Sequence, residues 1–349
     1  EKGTEVVLTL KKKDGTIKEV KMIREEVAIE DTFARSIIIN GANGKKYGFI
    51  NLPSFNADFE DAKGRNASDD IKAELIKLKA QNVEGIILDL RNNGGGSLTE
   101  VVDIMGLFMN NGPVVQVKDG NGRVQVMRNK QNDPIWTGPL VIMQNELSAS
   151  ASEILAGAMQ DYGRAVIVGS PQSFGKGTVQ TFVELNRFLN TSDDFGALKL
   201  TIQKFYRVNG KSTQLKGVDS DIPMKDIFTY EEIGERYDNY ALPWDQVSTS
   251  GFAPLNTLNM SNLVSNSAKR LTQNKNYQLL LESAQWKEKL DKEEKVTLNL
   301  KEFESLMKAR KEQIEKFKSL IKFNNGLNFT LHADEAKRGK TDEVFAKKS

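Results

Sequence analysis

The chain has no cysteine in 349 residues. Disulfides, thiolate nucleophiles and thiolate metal sites are excluded, although the compartment is not fixed by that absence. Histidine is almost as scarce: His332 stands alone in a Lys-rich tail. If the chain performs acyl transfer, the nucleophile is therefore a hydroxyl and the base a lysine, a known variant of nucleophile–base chemistry. No apolar run approaches the ~18 residues that a membrane span needs. No signal peptide is visible, and the start at Glu1-Lys2-Gly3 reads as that of a mature or truncated fragment whose targeting signal lies outside it. The net charge of +2 gives no electrostatic case for nucleic acid or an anionic membrane surface. What is present, 39% hydrophobic and 28% charged residues, describes a soluble globular chain long enough for two or three domains.

Two β-rich runs, Thr4–Leu10 and Ile17–Met22, flank Lys13-Asp14-Gly15-Thr16, and Asp-Gly is a strong hairpin signal. Ser36–Ile39 and Tyr47–Leu52 read as strands. From there strand and helix patterns alternate. Ala67–Gln81 is a helix with Ile71, Leu75, Ile76 and Leu78 as its apolar stripe and Asn66 or Ser68 as cap. Gly85–Leu90 is a short, continuous apolar strand of the kind covered on both faces. Leu98–Met109 and Ser150–Gln160 read as helices, and Leu140–Met143 and Ala165–Val168 as strands. Pro113–Val117 with Arg123–Arg128, and Val179–Leu185 with Ala197–Tyr206, add further strands. The alternation predicts an α/β core with a mostly parallel sheet. After Trp244 the composition shifts to Asn, Ser and Thr, then to Lys and Glu at helical spacing. Phe303, Met307, Ile314, Phe317 and Ile321 share one face of a long helix, expected to pack on the core, and Arg338–Ser349 is expected to fray.

Three segments could carry chemistry. In Ser148-Ala149-Ser150-Ala151-Ser152-Glu153 the serines could simply cap and pack a helix start. Alternatively Ser150 is a nucleophile at a helix N-terminus, where the dipole and free N–H groups favour an oxyanion. Lys176, in Phe174-Gly175-Lys176-Gly177-Thr178, invites a phosphate-loop reading. That reading fails: Ser170 stands where the first glycine belongs, and Gly177 follows the lysine in place of Ser or Thr. Its apolar neighbours would instead lower the lysine pKa from ~10.4 toward a general base's range. Asp89-Leu-Arg-Asn-Asn-Gly94-Gly95-Gly96 follows a buried strand. Thr99 breaks the dinucleotide fingerprint, but the glycines permit close backbone approach to a ligand, and one N–H could serve an oxyanion.

Taken together, the hexapeptide at Ser150, the stretch Ser173-Phe-Gly-Lys-Gly-Thr-Val-Gln180 and Leu90-Arg-Asn-Asn-Gly-Gly-Gly96 resemble the C-terminal processing, or tail-specific, serine peptidases. Ala241-Leu-Pro-Trp-Asp245 resembles a stretch of the long tail-specific branch. The resemblance implies Ser150 as nucleophile, Lys176 as general base, Gln180 as the residue orienting the lysine, and Asp161 as a support of the dyad. It implies an oxyanion hole from the backbone N–H of Ala151 and of Gly95 or Gly96. The Ser–Lys spacing is one residue longer than usual, and Ser170–Phe174 is expected to absorb it in a bulge.

The resemblance also implies a crotonase-like core over residues 31–247, the C-terminal part of a PDZ domain over 1–30, and a helical C-terminal domain over 248–349. The expected function is an endopeptidase that recognises apolar or unstructured C-terminal tails of proteins, in the periplasm of a bacterial envelope. It would need no cofactor or metal; a delivering adaptor remains an option and the oligomeric state stays open. The rival readings are a catalytically inactive peptide-binding scaffold of the same fold and, from the crotonase-like topology, an acyl-CoA enzyme.

Overall fold

The computed structural model describes residues 3–25, 32–41, 44–58, 64–188, 195–255, 258–321, 326–333 and 335. Strands β1 (Glu5–Lys11) and β2 (Ile17–Ile23) form an antiparallel two-stranded sheet of their own. The Asp14 carboxylate accepts from the Thr16 N–H and hydroxyl, and Gly15 takes φ +86°, so the Asp-Gly signal makes the turn it predicts. Val7, Leu10, Ile17 and Ile23 on this hairpin are exposed. The boundary expected at residues 30 and 31 lies outside the described residues, as does the expected frayed tail Arg338–Ser349.

The chain then runs β3 (Arg35–Asn40), β4 (Lys46–Asn51), α1 (Ala67–Ala80), β5 (Ile86–Asp89), α2 (Leu98–Phe108), β6 (Gly112–Asp119) and β7 (Val124–Asn129). It continues through β8 (Leu140–Gln144), α3 (Ala151–Asp161), β9 (Val166–Gly169), β10 (Thr178–Glu184), β11 (Ala197–Tyr206) and β12 (Ile222–Pro223). C-terminal to these lie α4 (Met260–Gln273), α5 (Lys275–Asp291), α6 (Leu300–Ile321) and β13 (Asn328–Leu331). The main sheet has the order β12-β9-β8-β5-β4-β3-β13. Its strands β4, β5, β8, β9 and β12 are mutually parallel, and β3 and β13 are antiparallel additions at one edge. The parallel run is apolar in nearly every position, as sheets buried on both faces require: Ile50, Leu88, Ile142 and Ile167 are fully buried.

A second sheet, β10-β11-β6-β7, is antiparallel throughout. Helix α3 packs on β9 of the first sheet and β6 of the second, and so ties the two together. On α1, Ile71, Leu75 and Leu78 are buried at helical spacing, but Ile76 is 53% exposed. It lies five residues after Ile71, on the opposite side of a 3.6-residue turn. Asn66 sits at the N-cap position, yet its side chain accepts from the Asp58 N–H and caps no helix donor.

Two expectations for the C-terminal region are corrected. Helix α6 has no buried residue and packs chiefly on α5, with Phe317 against Trp286 at 5.6 Å between ring centres, while Phe303, Met307, Ile314 and Ile321 of its apolar stripe stay exposed instead of packing on the core. The region is also not wholly helical: β13 returns to pair with β3 across Asn328–Leu331. His332 consequently leaves the tail and becomes buried, 2.9 Å from Ser36 Oγ, whose hydroxyl donates to Glu74 at 2.6 Å.

Candidate active site

Three consecutive parallel strands of the main sheet, β5, β8 and β9, lie side by side. In such sheets the loops leaving the carboxyl ends of the strands form the ligand-binding crevice. The loop after β5 holds Gly94–Gly96, the loop after β8 holds Ser150, and the loop after β9 holds Lys176. Segments up to 82 residues apart in sequence (94 to 176) therefore converge at one sheet end, with the serine in the middle.

The three serines separate cleanly. Ser148 is buried, accepts from the Asn145 N–H and donates to the Leu90 carbonyl at 2.8 Å. Ser152 is fully buried and donates to the Asn93 carbonyl at 2.9 Å. Both serve packing. Ser150 is half-buried and lines a cavity of about 220 Å³ together with Lys176, Gln180, Lys199, Gly94 and Gly96. It precedes the first residue of α3 with φ +57° and ψ −111°. A non-glycine residue holds such a backbone at a cost of ~1–3 kcal/mol, and only where its surroundings over-determine it. Here they do: Ala149 N–H donates to the Asn93 carbonyl, Ile154 N–H to the Ser150 carbonyl, and Ser150 N–H to Glu153 at 2.8 Å.

Glu153 is fully buried and reaches further than a helix cap. Its Oε1 accepts from the Ser173 hydroxyl at 2.6 Å and Gly175 N–H at 2.7 Å. Its Oε2 accepts from Ser150 N–H and from Lys176 N–H at 3.0 Å. Burial, opposed by these bonds, raises its pKa to about 7. The lysine loop is also held by Phe174 N–H to the Ser148 carbonyl, Leu215 N–H to the Gly175 carbonyl, and Thr213 hydroxyl to the Lys176 carbonyl. Lys176 has its pKa lowered, first by burial and then by the like charge of Lys199, against the opposing pull of Glu235 and Glu153. Among the described residues no hydrogen bond joins Lys176 Nζ to Ser150 Oγ.

The glycine loop lies directly on the serine. A Cβ on Gly95 would fall 2.8 Å from Ser150 Cβ and 3.0 Å from Ala151 N, and one on Gly96 would fall 2.3 Å from the Phe55 carbonyl oxygen. Only glycine permits that approach. The two glycine N–H groups differ. Gly95 donates to Asn93 Oδ1 at 2.9 Å, whereas neither Gly96 nor Ala151 N–H has a hydrogen-bond acceptor among the described residues.

Gln180 lines the cavity from β10, beside a bulge between Val179 and Gln180, and no hydrogen bond joins it to Lys176. Asp161 does not join the cavity. It is the last residue of α3, ~15 Å along the helix from Ala151 by the rise of 1.5 Å per residue. There it pairs with Arg207 at 3.0 Å and Asn209 at 2.8 Å. The segment Ala241–Asp245 buttresses the site from behind. Asp245 accepts from Tyr206 at 2.9 Å and from Lys204, and Trp244 Nε1 donates to the Ser212 carbonyl, bracing β11 and the 212–215 loop. A larger cavity, about 670 Å³, lies near the other end of α3 against Tyr162 and Phe252 but contains no nucleophile–base pair. Two residues of the site escaped the sequence reading. Glu153 was legible in principle, since Ser-x-x-Glu is a capping-box pattern. Lys199 was not, because strand pairing alone brings it to the cavity.

This α/β fold thus brings a serine with positive φ at a helix start and a lysine of lowered pKa to one cavity. Residues 46–224 match peptidase family S41, and residues 228–349 match the C-terminal domain of tail specific protease. The chain belongs to peptidase family S41, whose members include C-terminal processing and tail-specific proteases. It is 42% identical over 260 residues to a tail-specific protease of Haemophilus influenzae, covering 74% of this chain and 36% of that protein. It is 35% identical over 205 residues to a carboxyl-terminal-processing protease of Picosynechococcus, covering 58% and 45% respectively. Among solved structures, the photosystem II D1 C-terminal processing protease aligns with a TM-score of 0.47 at 27% identity over 64% of this chain and 56% of that one. The chain thus spans less than half the length of these two curated relatives.

Proposed function

We propose that this chain carries the catalytic core of a serine endopeptidase that works through a Ser150–Lys176 dyad and cleaves proteins presented by apolar or unstructured C-terminal tails. The observation that carries the reading is the single cavity in which the strained, half-buried Ser150 and the desolvated Lys176 meet. In this reading neutral Lys176 takes the Ser150 proton and Ser150 attacks the scissile carbonyl. The oxyanion rests between the N–H groups of Ala151 and Gly96, the two donors left unspent. Gly95 keeps Asn93 in place instead of donating to substrate. Lys176 then protonates the leaving amine, and water releases the acyl-enzyme. Hydroxyl and amine close to hydrogen-bond distance when substrate enters. Gln180 orients the lysine from the cavity wall, and Asp161 acts at a distance, by holding Arg207 against α3.

The same reading treats β1–β2 as the end of a PDZ-type tail sensor, with its apolar residues covered in the complete sensor. It takes residues 31–247 as a crotonase-like peptidase core and the helical region from 248 as a separate domain. It places the protein in the bacterial envelope, where unfolded tails of exported proteins are available. The described residues contain no helix long and apolar enough to cross a membrane.

The test is cleavage of a fluorogenic peptide ending in an apolar tail. Ser150→Ala and Lys176→Ala each abolish turnover with an unchanged circular dichroism spectrum. Residual turnover by either purified variant overturns the dyad. Tail binding without turnover by the unmutated protein would point to the inactive scaffold.

A further inference from the structure

We infer that Glu153 is the positioning residue of this site: its buried carboxylate ties the backbone at Ser150 to the backbone at Lys176, and the two loops keep their catalytic register only while it is ionised. The inference rests on the serine–lysine reading above. Four donors converge on the carboxylate, two on each oxygen, and they come from both loops: Ser150 N–H on one side, Ser173 hydroxyl, Gly175 N–H and Lys176 N–H on the other. An ionised carboxylate offers about four lone-pair sites, so the set is complete and saturated. Glu153 has no ion-pair partner among the described residues. The charged groups around the site are Lys176 itself, Lys199 on β11, and Glu235 and Arg236 from the turn at Glu235–Tyr237. Of these Arg236 donates to the Ser173 carbonyl at 3.1 Å, and none pairs with Glu153.

Protonation therefore has a defined structural consequence. A protonated carboxyl has one oxygen that must donate, and every neighbour of that oxygen is already a donor. Ser173 can take that proton only on its second lone pair, the first accepting from Val218 N–H at 2.7 Å, and its own proton then loses the Glu153 oxygen it now bonds. Either one of the four donated bonds breaks or the Ser173 hydroxyl turns its proton away from the carboxyl, and each outcome weakens the tie between the serine turn and the lysine loop. Burial brings this protonation close to neutrality, where it matters to a working enzyme. Loss of activity on acidification then has two sources: Lys176 gaining a proton and Glu153 gaining one.

The experiment compares the unmutated chain with Glu153→Gln and Glu153→Asp. The amide of Glu153→Gln presents an NH₂ to two of the four donors. Its expected result is a fall in kcat of about tenfold or more with KM within about twofold, since the register and not the binding surface is lost. Log kcat/KM against pH approaches a slope of two on the acid side for the unmutated chain and one for Glu153→Gln. Glu153→Asp, still ionisable, restores the second acid limb. Unchanged kcat and an unchanged acid slope in Glu153→Gln overturn the inference.

Amide hydrogen exchange supplies a readout that needs no turnover. Corrected for intrinsic rates, protection over residues 173–177 and 150–154 falls between about pH 8 and about pH 6, because this local opening breaks the bonds that favour the ionised carboxylate while leaving it buried; global unfolding, which hydrates it, has the opposite dependence. The Ser150→Ala protein shows the same, because the Glu153 carboxylate accepts from the Ser150 backbone N–H and not from its hydroxyl. This arm stands even if Glu153→Gln does not fold, and pH-independent protection in both proteins overturns the tie. Persistent cleavage by Ser150→Ala, by contrast, defeats the dyad reading and leaves the exchange result intact, so the two failures are distinguishable.

Discussion

Ser150, Lys176 and Glu153 are governed by one physical cause, the removal of water from charged or strained groups at the end of the sheet. Desolvation moves the lysine toward neutrality and the glutamate toward protonation. These shifts have opposite consequences for stability and activity. The Glu153 pKa is raised from the ordinary 4.5 to about 7, so the stability it contributes is full below about pH 4.5 and is lost as pH rises through about 7. The span corresponds to roughly 3 kcal/mol. Thermal melts of Glu153→Gln should accordingly lack this decline between pH 4.5 and 7, while activity of the unmutated chain rises over the same interval. Lys199 makes a second prediction. Its like charge helps depress the Lys176 pKa. Lys199→Ala should therefore move the lysine's acid limb in kcat/KM to higher pH, and high salt should erase the difference because Lys199 is exposed. A shift to lower pH would contradict the assignment.

At the scale of elements, the site depends on the turns that leave β5, β8 and β9. Strand and helix periodicity made most of these elements readable, and Gly94–Gly96 after an apolar strand marked a backbone approach. What periodicity could not supply was neighbourhood. That β5, β8 and β9 are adjacent, and that β10 pairs with β11 so that Lys199 reaches Lys176, follows from pairing between segments with no local signal. The close approaches themselves are testable. A methyl group at Gly169 would lie 1.9 Å from the Gln144 carbonyl oxygen at φ +138°, between β8 and β9. Gly169→Ala should destabilise the fold by about 2 kcal/mol or more in denaturant titration. A methyl group at Gly96 meets the Phe55 carbonyl oxygen at 2.3 Å and displaces the loop whose unspent N–H is proposed for the oxyanion. Gly96→Ala should therefore lose kcat by about 10²-fold or more, whereas loss of stability with kcat intact would remove Gly96 from the oxyanion hole.

At the scale of the whole molecule, the C-terminal region is joined to the core through β13. This strand covers the outer edge of β3, an edge that would otherwise present unpaired backbone groups. The junction is completed by His332, Ser36 and Glu74, all buried, with Lys77 donating to Glu74 at 2.9 Å. His332→Ala should cost about 1–2 kcal/mol, by leaving the buried Ser36 hydroxyl short of a partner, without changing kcat. A change in kcat would instead mean that this distant edge communicates with the site.

The sequence by itself determined the chemistry that is available. Without cysteine, and with its one histidine outside the motifs, it left a hydroxyl and an amine, and its local motifs marked Ser150, Lys176 and the glycine loop. It also determined the elements, because hydrophobic period and turn residues act over a few neighbouring positions. Only the tertiary structure decided which of three serines faces a cavity, which glycine N–H is unspent, that Asp161 belongs to Arg207, and that His332 is interior. It also decided that Glu153 joins the serine turn to the lysine loop. Each of these depends on burial and hydrogen-bond partners supplied by residues remote in the chain, and such partners exist only once the sheet has set its strand order.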